Sequence, residues 1–154
     1  MSKIKIKGYL VPFLIALITS ILGVIGWFTL PLIERWFDQQ DLKDDLTYYI
    51  DESVNLVGEK YYSDAIERLE IADEKANAIR SQNSRTEYLC VIRINKSICH
   101  FRIGAETKDK DKIKQSINMF KQILALPNIE RFPAYINIVE NYINTANWML
   151  DNLS

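Results

Sequence analysis

The chain has 154 residues, 19 basic against 20 acidic, with two cysteines and a single histidine. That length holds one compact domain of ordinary size beside a short additional segment and leaves no second domain to assign. There is no H-E-x-x-H, no Gly-rich phosphate loop and no G-x-S-x-G, so no catalytic activity, cofactor, metal or duplex nucleic acid is expected.

Tyr9 to Ile33 is an uninterrupted apolar stretch of 25 residues without a charge. As a helix it measures ~37 Å against a hydrocarbon core of ~30 Å, which predicts a transmembrane helix within an N-terminal segment 1–37. The lysines Lys3, Lys5 and Lys7 also suit a secretory signal, but the apolar run is longer than the ~7 to 15 residues of such a signal and lacks a small-residue exit. Trp27, Phe28, Trp36 and Phe37 fall where an interfacial aromatic belt belongs. Ala16, Thr19, Ser20, Gly23 and Gly26 share one helical sector. Such a stripe permits close helix association.

Orientation is open at this point. Three lysines before the span, against Arg35 and Lys43 after it, favour an exported domain under the positive-inside rule. Cys90 and Cys99 pull the other way. Nine residues apart on one helix they stand ~13 Å apart along its axis and cannot bridge, and two free thiols suit a reducing compartment.

The remainder, 38–154, carries helical periodicity throughout and predicts five soluble helices. The first runs from about Leu42 to Val57 and the second from Ser63 to Arg80. The third opens on a capping box, Ser84 to Glu87, and reaches Gly104. The fourth covers Lys110 to Leu126, and the fifth runs from Pro133, suited to a first turn, to about Leu150. The expected class is all-α, one transmembrane helix and a five-helix domain of packed hairpins. Charge is segregated: Glu34 to Ile79 holds 5 basic and 13 acidic residues, Arg80 to Lys121 holds 10 and 4. Such asymmetry suits either a polyanion or the docking of a neighbouring copy.

In the second helix, Tyr62-x2-Ala65-Ile66-x2-Leu69-x2-Ala72 resembles the second helix of a tetratricopeptide repeat, with Tyr49, Ser53 and Leu56 fitting the first. Small alanines admit the partner helix while Tyr62 and Leu69 fill the groove. An echo at Ser116-Ile117-x2-Phe120-x2-Ile123 lies 51 residues on from Ala65, not the 34 of that repeat.

The third helix has apolar positions around most of its circumference, among them Tyr88, Val91, Ile92, Ile94, Ile98, Cys99, Phe101 and Ile103, and is expected to be the central one. Its narrow polar sector stacks Arg93, Lys96 and His100 on successive turns, with Arg85 above and Lys108, Lys110, Lys112 and Lys114 following. Three stacked cationic positions repel one another. A solvated face, an acidic protein partner or a phosphate-bearing ligand each meets that repulsion, and Tyr88 or Phe101 could stack on a base. The cysteines read as core-filling.

As a layout, a spanning helix followed by a helical domain with a basic cluster resembles the type III CRISPR membrane effectors. That resemblance implies a cytoplasmic domain at the inner membrane. It implies binding of a cyclic oligoadenylate through Arg85, Arg93, Lys96 and His100, a homo-oligomer such as a tetramer, and perturbation of the lipid bilayer in antiviral defence. The alternative from the same residues is a tethered, tetratricopeptide-like adaptor that binds protein and senses no ligand.

Overall fold

A computed structural model describes residues 7–153, without the side chains of 7–28, 30 and 31. It contains α1 (Lys7–Gly58), α2 (Tyr62–Ala76), α3 (Gln82–Thr107), α4 (Lys110–Ile123), a 3-10 turn (Ile129–Arg131) and α5 (Pro133–Asn152). Among the described residues there is no strand. The all-α class stands, but the arrangement at its start does not.

The expected transmembrane helix is corrected. Among the described residues no helix is long and apolar enough to cross a membrane. The apolar run does not end in a separate element; α1 continues through Glu34, Arg35, Asp38, Asp41 and Lys43 and takes in the predicted first soluble helix, 42–57. No Gly or Pro interrupts 32–57, so nothing stops the hydrogen-bond ladder there. The small-residue stripe from Ala16 to Gly26 lies outside the described side chains. The chain divides into two compact units, Met1–Gln40 and Asp41–Ser154. In the first, Leu32, Ile33, Trp36 and Phe37 are exposed, with the two rings edge to face at 5.2 Å.

In the second unit successive helices run antiparallel, and ion pairs record the register. Asp45 and Glu52 of α1 meet Lys75 and Arg68 of α2 at 2.6 and 3.1 Å. Along the next pair, Asp73 and Glu70 of α2 meet Arg93 and Lys96 of α3, and the Tyr62 hydroxyl donates to Glu106 at 3.1 Å. Tyr142 of α5 stacks on Phe120 of α4 at 5.3 Å and meets the edge of Phe101 of α3 at 6.2 Å. The α3 hydroxyl of Thr86 reaches further, donating to the Pro127 carbonyl at 2.8 Å in the α4–α5 connection.

Two hairpin turns share one geometry. Lys60 and Lys108 both adopt the left-handed conformation, φ 66° and 55°. After each, an amide reaches back five residues: Tyr61 N–H to the Leu56 carbonyl and Asp109 N–H to Gly104, both at 2.8 Å. This is the Schellman way of satisfying helix-end carbonyls, here with lysine in the place glycine favours. Asp109 then caps α4, its Oδ1 accepting from the amides of Asp111 and Lys112. The hairpins α1–α2 and α3–α4 therefore repeat at 48 residues, turn to turn, not at the 51 of the side-chain echo.

Helix ends differ from expectation for local reasons. Ser81, not Ser84, caps α3; its side chain accepts from the Ser84 amide, so the box between Ser84 and Glu87 does not form. α2 stops at Ala76 because Ala78 and Ile79 turn their amides to residues three back, which buries Ile79. Pro133 does open α5. The core gathers Leu46, Ala65, Leu69, Ala72, Leu89, Ile92, Phe120 and Val139, with a second cluster of Phe101, Ile113, Ile117 and Ala146 at the other end.

At Gly104 the α3 backbone lies tight against the start of α4: an added Cβ would lie 2.9 Å from Ile113 Cγ1 and 3.0 Å from the Ile113 amide nitrogen. Gly104→Ala gains up to ~1 kcal/mol of helix propensity but incurs ~1 to 3 kcal/mol of overpacking against backbone. It is expected to lower the melting temperature, whereas Gly58→Ala, which meets nothing within 4 Å, should leave it unchanged or raise it. Thermal melts of the two variants check this.

Candidate functional site

The basic stripe of α3 is answered by α2. Antiparallel packing sets Asp73 and Glu70, three residues apart, against Arg93 and Lys96, three residues apart in the opposite sense, so one register satisfies both pairs. Arg93 Nε donates to Asp73 Oδ1 at 2.8 Å and Nη2 to Oδ2 at 3.4 Å; Lys96 Nζ stands 2.8 Å from Glu70 Oε1. Lys96 holds the Glu70 carboxyl below the usual carboxylate range. The Arg93 and Lys96 side chains are 32% and 22% exposed. Each pair then contributes on the order of 0.2 to 1 kcal/mol, enough to fix register but not to hold the fold. The anions that the stripe demands are supplied within the chain.

Arg93 and Lys96 also line an open cleft of about 240 Å³ with Asp73, Ser97, Met119 and Gln122. His100 lies one turn further along α3. Burial chiefly, then the charge of Lys96, lowers its pKa from the ordinary 6.5; Glu70 opposes this and Lys112 of α4 adds to it. Arg85 is not part of this group: its Nε donates to the Ile79 carbonyl at 2.7 Å, tying the α2–α3 link to the first turn of α3. Of the trailing lysines, Lys114 is 3.7 Å from Asp111. The four expected site residues thus comprise a paired couple, an adjoining histidine and a structural arginine.

A second concavity has no signature in the sequence. Thr47 and Ile50 of α1, Glu87, Tyr88 and Val91 of α3, and Tyr135 of α5 enclose an open groove of about 250 Å³ on another face of α3. Helical periodicity marked Tyr88 and Val91 as core, but both are only half-buried, because α1 and α5 flank that face without closing over it. Burial first, then the Glu87 charge, raises the Tyr135 pKa above its ordinary 10. The apolar surface extends beyond the groove: Val54, one turn on from Ile50, and Ile138, three residues on from Tyr135, are exposed.

Cys90 and Cys99 are buried, and burial pushes both thiols up to about 11. They are therefore protonated at neutral pH and unsuited to nucleophilic or ligand roles. Among the described residues no three His, Cys, Asp or Glu side chains gather as for a metal ion.

The His100 environment sets a pH dependence. Because its folded pKa is lowered, the unfolded chain binds the proton first as pH falls, so stability declines from about pH 6.5 downward until the folded-state pKa is passed. Glu70, whose folded pKa is also lowered, gives stability present above its ordinary 4.5 and lost as pH falls through its folded value. Denaturant titrations from pH 7.5 to 5 should show falling stability, and His100→Gln should flatten the profile in that interval. An unchanged profile in the variant would exclude His100 as the source.

The chain matches no family model, no curated protein and no solved structure, so its function is argued from this geometry.

Proposed function

We propose that this chain is a non-catalytic protein-interaction module that binds another polypeptide in the groove between α1, α3 and α5. The observation that carries this reading is the groove itself, about 250 Å³, walled by Ile50, Tyr88, Val91 and Tyr135 and open to solvent. Small-molecule sites usually occupy ~300 to 1,000 Å³ and enclose most of the ligand, so this groove better suits side chains presented by a polypeptide. Exposed aromatic and aliphatic side chains around a concave helical face are typical of interface cores. A photo-crosslinking aromatic at Tyr88 should capture a discrete polypeptide partner in cells. The same probe at the exposed Asn118 of α4 should not. Equal capture at both positions, or none at Tyr88, overturns the reading.

A second reading is favoured by the cleft that exposes Arg93 and Lys96: a phosphate-bearing ligand, with cyclic oligoadenylate as the specific candidate, bound in competition with Asp73 and Glu70. Charge-assisted hydrogen bonds to phosphate would have to exceed those already made to the carboxylates. Asp73→Asn removes the competitor and should strengthen binding, while Arg93→Ala should weaken it roughly 10- to 150-fold. Calorimetry with cyclic tetra-adenylate checks this; no heat with either the parent chain or Asp73→Asn discards the reading.

A further inference from the structure

The groove between α1, α3 and α5 has a charge of one sign. Glu87 is the only ionisable carboxylate or cation among its lining residues, it is exposed, and among the described residues it joins no ion pair. It shares the groove lining with Tyr135 of α5, whose pKa its charge helps to raise after burial. An apolar floor beneath an unanswered carboxylate selects for a complementary pair of features, an apolar group to fill the space and a cation to meet the rim.

Building on the interaction reading above, we propose that the occupant is a polypeptide segment that inserts an apolar side chain between Ile50, Tyr88, Val91 and Tyr135 and sets a lysine or arginine against Glu87. The apolar side chain supplies most of the affinity by leaving water, and the cation supplies orientation and selectivity. An exposed ion pair is worth at most ~1 kcal/mol, and a like charge in its place costs a similar amount.

The test is to pan a phage-displayed library of random short peptides against the full chain, then measure the enriched peptides by fluorescence anisotropy. The expected peptides carry Leu, Ile, Met or Phe with a Lys or Arg within one helical turn. Glu87→Lys should weaken them roughly 3- to 20-fold, corresponding to a lost attraction and a gained repulsion. Val91→Arg should abolish binding. If Val91→Arg does not fold, Thr47→Arg at the exposed rim fills the same space. Peptides lost with the groove variants but indifferent to Glu87→Lys would overturn this inference and leave the interaction reading in place. Peptides unaffected by any groove variant, or none enriched, would overturn both. A concentration-dependent rise in mass that Val91→Arg removes, without peptide binding, would assign the groove to a second copy and overturn the peptide occupant.

Discussion

The structure of residues 41–154 depends on the burial of one helix. α3 is apolar around most of its circumference, with Leu89, Cys90, Ile92, Ile94, Cys99 and Phe101 all buried, so it has to be covered from several sides at once. α2, α4 and α5 pack against it directly. Polar groups left on such a helix cannot all reach water. They must be met by the helices that cover it, and this turns hydrophobic burial, which has no direction, into a defined register.

Arg93 and Lys96 illustrate the step. A cation on a covered helix is tolerable only with a partner, and the antiparallel neighbour offers Asp73 and Glu70 at the reverse of the same spacing. The buried hydroxyls are answered more locally, Ser97 donating to the Arg93 carbonyl and Ser116 to Ile113, each at 2.7 Å. The charge segregation along the sequence is thereby partly spent inside the fold, as acidic α1 and α2 meet basic residues of α2 and α3. Glu87, an acid within the basic segment, lines the groove and joins no ion pair among the described residues. The cleft on the α2 side and the groove on the α1 and α5 side therefore differ in kind, the first polar and self-paired, the second apolar with an unanswered carboxylate.

The turns impose a complementary constraint. Lysine in the left-handed region at 60 and 108 costs more than glycine would, yet both turns close with the same five-back amide bond. The α1–α2 and α3–α4 hairpins thus share a turn closure despite little shared sequence. The close approach at Gly104 then allows α4 to sit directly against the end of α3. Nothing about a lysine announces a left-handed residue, so the side-chain echo of Ala65 at Ser116 gives an interval of 51 where the turns at Lys60 and Lys108 give 48.

The sequence by itself determined the helical class, the centrality of α3, the proline start of α5 and the inert cysteines. These follow from periodicity, from the ring of proline and from distance along one helix, all of them local. It did not determine where α1 begins and ends, because an apolar run and a polar helix joined without a breaker read as two elements while the backbone treats them as one. Nor could it assign partners to Arg93 and Lys96: their stacking was legible, but the carboxylates that neutralise them lie at least 20 residues away in α2 and come into reach only through antiparallel packing. The groove was decided by tertiary structure alone. Tyr88 and Val91 carry the pattern of core residues, and only the positions of α1 and α5, which flank that face without covering it, leave them open to solvent.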